Sequence, residues 1–277
     1  MLRKTLFFFL TSFFLFCSLN FIEAMEEVST DLTHEISHLF QRELDGRKLK
    51  LRLIKSSLVD IYATFHRDSS PMIVIKSGLF SYPEMSEDLL LGLLCHELGH
   101  HLGGNPKKKR VKDGRDSWAS AEGQADFFST AKCLRRYFWD KKNDDFNEKT
   151  VHHPEVLHFC EKIKNSFFLD FHQCLKVGSI AREMALFYQR LQRKYLMREE
   201  ISLFKYKATA SPKIILDYPS GQCRLETLFA GIALCQSPWD HWGDTVLDCR
   251  IDLSDDNLQE KHSFFSGERP NCWYLDK

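Results

Sequence analysis

The sequence predicts an α+β fold: a few short strands packed on helices, with two helices facing one another across a cleft. Three observations predict it. Residues 50–76 hold short runs rich in β-branched and aromatic residues, broken by turn residues. An apolar helical stretch, 86–104, carries His96 and His100 four positions apart. A second helical stretch begins near Ala119 and carries Glu122 and Asp126, also four apart and therefore on one face.

In chain order, Arg3 and Lys4 precede an apolar run from Leu6 to Leu19, and Ile22-Glu23-Ala24 offers a cleavage site. This is the pattern of an export signal over residues 1–24, too short and too interrupted by Thr11, Ser12 and Ser18 for a comfortable membrane span. The expected organisation is that signal, a domain over 25–235 and a Cys-containing tail over 236–277. Leu32, Ile36, Leu39, Phe40 and Leu44 recur at helical spacing, which predicts an N-terminal helix. Leu51–Ile54, Val59–His66 and Met72–Lys76 read as strands, and Phe80–Pro83 as a turn. Val59–His66 is the candidate edge strand for holding an extended peptide by main-chain hydrogen bonds; the plainer alternative is an ordinary sheet strand.

Ser86 caps the next helix, with Glu87 and Asp88 in its first turn, where the helix dipole favours acids. Gly103-Gly104 ends it and Pro106 prevents its resumption. Within it stands His96-Glu97-Leu98-Gly99-His100, an HExxH motif. Two imidazoles one turn apart can grip one Zn²⁺, and Glu97 between them can reach a metal-bound water as general base. The bland alternative is a pair of surface histidines. The neighbours are Leu90, Leu91, Leu93, Leu94, Cys95 and Leu98, which predicts burial, and buried imidazoles need a partner.

A third ligand is required. A further His six residues on is not available, because Pro106 stands there. A Glu from a second helix is: Glu122 as ligand, with Asp126 accepting the far N–H of a ligand His. Ala121, Ala125, Phe127 and Phe128 around this pair predict burial, against the alternative of an exposed acidic face. That helix is expected to run to about Tyr137. Asn105–Asp116, with its basic run Pro106–Lys112, reads as a solvated loop between the two helices. Asp140–Asn147 reads as a linker, 155–206 as helical and Cys223–Cys235 as a further helix.

His96–His101 followed by Glu122-x-x-Ala125-Asp126 resembles the HExxH…ExxAD signature of the gluzincin metallopeptidases related to HtpX and the CAAX prenyl protease. The resemblance spans roughly residues 55–235. It implies a zincin-like helical domain with a small sheet, one Zn²⁺ held by His96, His100 and Glu122, and metalloendopeptidase activity with Glu97 as base. That family carries a later His-Pro-x-x-x-x-Arg-Ile element. Here Tyr218-Pro219 to Arg224-Leu225 keeps the Pro-to-Arg spacing, with Tyr218 in place of the His. The resemblance makes Tyr218 and Arg224 candidates to steady a tetrahedral oxyanion.

The chain has 38 basic and 38 acidic residues. This balance argues against a nucleic-acid partner and against strong attraction to a membrane surface, and no stable span is expected after signal removal. A polypeptide substrate is the expected partner; the oligomeric state is left open. Of nine cysteines, eight follow residue 24, an even number that favours disulfides in an exported protein, periplasmic or extracellular. Cys160–Cys174, Cys223–Cys235 and Cys249–Cys272 are the short-range pairings to expect. Cys133 lies about 16 Å along its helix from Glu122, too far to share a metal with it. Cys95 and Cys133 are expected to fill core or to pair elsewhere. Two other readings stand beside the peptidase. One is a secreted, disulfide-bonded binding protein with a structural zinc; the other is a latent enzyme in which a tail residue such as His241 closes the metal's open position.

Overall fold

A computed structural model describes residues 22–139, 152–163, 170–192, 200–234, 237–239 and 268–275. The expected signal up to residue 21, the expected linker 140–147, Cys235, Cys249 and His241 lie outside these residues. The fold is mixed α and β, in two compact units whose boundary falls between Leu91 and Gly92.

The first unit opens with a helix over 22–39 (α1), which ends in turns over 40–46. The turn places Asp45 and Gly46 at positive φ, and Gly46 carries no Cβ penalty there. Three strands follow: β1 (Lys50–Ile54), β2 (Val59–Phe65) and β3 (Pro71–Ser77). Their order is β1-β3-β2, with β1 parallel and β2 antiparallel to β3. β3 is central and its first five residues are buried, as a continuous apolar run of Met, Ile and Val requires. β2 is an edge strand, as the sequence suggested. A 3₁₀ turn over Gly78–Ser81 takes the place of the expected Phe80–Pro83 turn. All three strands fall within a residue or two of their expected limits.

Helix α2 (Glu87–Leu102) crosses the unit boundary. Ser86 Oγ accepts the Leu89 N–H at 3.0 Å, the expected cap. Every residue from Leu89 to His100 is buried, so α2 is a core helix rather than an amphipathic surface one.

In the second unit, the basic stretch expected as a loop is a β-hairpin. β4 (Lys107–Lys109) pairs antiparallel with β5 (Asp116–Ser120), Lys107 opposite Ser120. A run of lysines carries no β signal of its own; the pairing comes from its partner strand and from charge pairs across the ladder, Lys109 with Asp116 among them. After β5 come α3 (Glu122–Phe128), a π-helical segment (Ser129–Leu134) and α4 (Arg135–Trp139). The helical path from Glu122 thus runs past Tyr137 as expected, but with a wide turn in its middle. Then follow α5 (Pro154–Ile163), α6 (Phe171–Gln192) and α7 (Gly221–Ala233). The expectation of helix over 155–206 is corrected at its end: residues 200–210 hold no helix. α7 is capped by Ser220, whose hydroxyl accepts the Cys223 N–H, and packs against α3, α6 and the π segment.

Three disulfides join described residues: Cys95–Cys133, Cys160–Cys174 and Cys223–Cys272. The Cys160–Cys174 expectation holds. Cys223 pairs with Cys272, not Cys235, which also removes the expected Cys249–Cys272 bond. Cys95 and Cys133 pair with each other. Local spacing misled here, because α2 and the π segment bring together thiols 38 residues apart. Closing that loop stabilises the fold by about 4 kcal/mol on the chain-entropy account. Among the described residues, no helix is long and apolar enough to cross a membrane.

Candidate metal centre

Two helices bring the site together, and a glycine sets their spacing. A Cβ at Gly99 would lie 2.8 Å from Ala125 O and 2.9 Å from its Cα, so only glycine lets α2 and α3 approach this closely. One turn of α3 before Ala125, Glu122 then faces the imidazoles of His96 and His100. Glu122 Oε2 lies 3.3 Å from His96 Nε2, and Oε1 3.7 Å from His100 Nε2. One donor atom from each of the three lies within 4.8 Å of the others, and all three side chains are buried.

The far nitrogens are held from outside the triangle. His100 Nδ1 donates to Ser120 O at 2.8 Å, at the end of β5. His96 Nδ1 stands 2.8 Å from Asp126 Oδ1, in a contact bent from ideal hydrogen-bond geometry. Each Nδ1 is thus placed to carry a proton, and each imidazole, when neutral, turns its Nε2 lone pair toward Glu122. With both imidazoles neutral, two lone pairs and an anion converge in a buried space, which favours a cation between them, a proton on Nε2 or a metal ion. Two imidazole nitrogens and a carboxylate oxygen are also a borderline-soft donor set suited to transition ions. The residues present fit a metal ion.

Asp126 is itself fixed. Arg224 Nε and Nη2 reach its two oxygens at 2.7 Å each, a bidentate pair with both partners fully buried. The Arg224 guanidinium lies 3.3 Å from the centroid of the Tyr188 ring, and the His96 ring lies 5.3 Å from that same centroid. The line runs from α7 through α3 to α2, with α6 as backing. Tyr188 was not legible as a site residue; nothing in the 155–206 helical pattern marks which face meets the histidines. Its hydroxyl is buried with no hydrogen-bond partner among the described residues, and burial pushes its pKa well above the usual phenol.

The sequence placed Arg224 near a reacting centre, and the structure brings it to the site. Its guanidinium is engaged by Asp126, and Nη2 lies 3.8 Å from Glu122 Oε2. Glu97 is buried beside the ligands, its Oε2 4.0 Å from His100 Nε2. Tyr218 is 67% exposed. Its hydroxyl titrates above the usual phenol, chiefly through the nearby Glu122 charge. His101, next to the second ligand, turns aside and stacks on Trp118 at 4.7 Å.

No family model, curated protein or solved structure matches the chain. The reading of the site therefore rests on its own residues.

The charges of these residues act strongly on one another. Burial alone would lower His96, but the charges of Asp126 and Glu122 overcome it and raise its pKa to about 9. His100 has no acid on its outer nitrogen; burial and the neighbouring His96 take it down to about 3. Glu122 is disfavoured as an anion by burial, yet the imidazole and Arg224 charges hold it well below the usual carboxylate range. One residue that sequence reasoning missed completes the set. Lys108, on β4, reaches Glu122 Oε1 in a direct ion pair. In a strand, Lys108 points opposite to Lys107 and Lys109, which is the one sequence signal that singles it out, and only once the hairpin is known.

Proposed function

We propose that the chain is an exported zinc metalloendopeptidase of the gluzincin kind. The observation that carries the reading is the convergence of His96, His100 and Glu122 on one point with a buried carboxylate, Glu97, beside them. A zinc ion held by these three residues would supply a Lewis acid that polarises a carbonyl and lowers the pKa of a water to about 7.

The chain's own residues do the rest. Glu97 accepts the water proton and returns it to the leaving amine, a contribution of about 10²–10⁴ in rate for a positioned base. Asp126 fixes the tautomer of His96. Arg224 acts through Asp126, as a positioning residue rather than as the oxyanion donor. Tyr218, exposed and near enough to feel the Glu122 charge, is the donor we assign to a developing oxyanion. A closed, purely structural zinc site would need a fourth protein ligand. Cys95, the nearest thiol in sequence, is bonded to Cys133, and the group of possible ligands among the described residues is His96, His100 and Glu122 alone. Three disulfides fit an oxidising compartment.

The test is Glu97→Gln. The variant should retain one zinc per chain by metal analysis and lose hydrolysis of casein to background. A Glu97→Gln protein that still cleaves would remove Glu97 as the base, and a wild-type chain that takes up no zinc would end the reading.

A further inference from the structure

The β4–β5 hairpin carries a dense basic run, and several of its members are held by local partners. Lys109 pairs with Asp116, Arg110 and Arg115 both pair with Asp113, and Lys107 donates to Ser120 Oγ at 3.3 Å. Lys108 differs from these in reaching inward, to Glu122. Its side chain is 29% exposed, so the residue is only partly desolvated. The exposed Tyr218 ring lies beside it, with its centroid 5.7 Å from Nζ.

A loaded site changes the charge balance around this lysine. Asp126 and Arg224 offset each other. The charges of Glu97 and Glu122 would be offset by one divalent cation. The Lys108 ammonium would then be one positive charge in excess. In a partly desolvated position an uncompensated ammonium favours an incoming anion. The substrate face of a peptide site can provide that anion as a carboxylate.

We propose that Lys108 is a specificity-determining residue that receives a substrate carboxylate, so that the site favours peptides with an acid close to the bond being cut. The proposal rests on the zinc peptidase reading above. The carboxylate has two sources, an Asp or Glu side chain and a free C-terminus, and the experiment separates them.

The assay is binding, so that it does not depend on turnover. Zinc-loaded Glu97→Gln protein is titrated into fluorescein-labelled peptide pools read by anisotropy. One pair of pools differs only in Asp and Glu against Asn and Gln; another differs only in a free against an amidated C-terminus. The acidic member of at least one pair should bind about tenfold tighter, the scale of a charge-assisted hydrogen bond. Which pair responds names the source. Adding Lys108→Met should cut that ratio several-fold with zinc content unchanged, Lys108→Arg should keep most of it, and raising salt should shrink it.

Equal affinities within both pairs, a preference undiminished by Lys108→Met, or loss of zinc in Lys108→Met would each overturn the proposal. If casein is cleaved but both ratios are one, only the specificity fails. If the acid preference holds but the Glu97 protein cleaves nothing, only the peptidase reading fails.

Discussion

On its inner side the His96–His100–Glu122 triangle is backed by Asp126, Arg224 and Tyr188, all buried; on its outer side stand Lys108 and Tyr218, both reaching solvent. The inner side is built from α3, α6 and α7, and its charges meet through paired bonds of 2.7 Å. The outer side is a three-residue strand and a loop, and among the described residues its lysine has one ion-pair partner, Glu122. The difference teaches which residues fix the cage and which are free to address what enters it. Buried, bidentate charges hold geometry; a partly exposed lysine can change partner.

The largest expected effect lies on the inner side. Arg224→Gln leaves the Asp126 carboxylate buried without its counter-charge, and should cost about 3–5 kcal/mol of stability in denaturant melts. A small loss there would show that Asp126 is not held by this pair and would dissolve the contrast. Next comes Asp126→Asn, which keeps the shape but weakens the support of His96; zinc affinity should fall about 10–100-fold in a chelator competition.

A third prediction concerns protons. In the ion-free protein His96 titrates at about 9, above its ordinary 6.5, so near pH 7 it is protonated there. A metal needs the neutral imidazole, so loading should release about one proton at pH 7, and affinity should rise about tenfold per pH unit up to pH 9 and then level off. The same raised pKa stabilises the ion-free fold fully below pH 6.5, and that contribution is lost as pH rises through 9. Calorimetry in buffers of different ionisation enthalpy counts the proton. The smallest effect should be on the outer side: Lys108→Met should change stability by about 1 kcal/mol or less, because its ammonium is partly solvated. A loss as large as that of Arg224→Gln would erase the distinction between the two sides.

Much of the inner side was legible in the sequence. The HExxH spacing, the Ser86 cap and the Glu122–Asp126 pair each follow from helical periodicity and from the cost of burying imidazoles, and the strands followed from β-branched runs. What was not legible depends on long-range pairing. The hairpin hid inside a lysine run because its ladder needs Asp116–Ser120 as partner. Arg224 was found, but its bond to Asp126 was not, since the two are 98 residues apart. The disulfides failed for the same reason: nearness in sequence stood in for nearness in space, and Cys95–Cys133 and Cys223–Cys272 each bridge separate helices or segments.

The contact between Gly99 and Ala125 has one more outcome. Backbone against backbone, these helices have no room to move closer, and the Cys95–Cys133 bond keeps them from drifting apart. The girth of the cage is thereby fixed from both directions. Such a cage grades cations by radius: an ion with ligand distances near 2.0–2.2 Å is expected to seat, and a calcium-sized ion at about 2.3–2.6 Å to be refused.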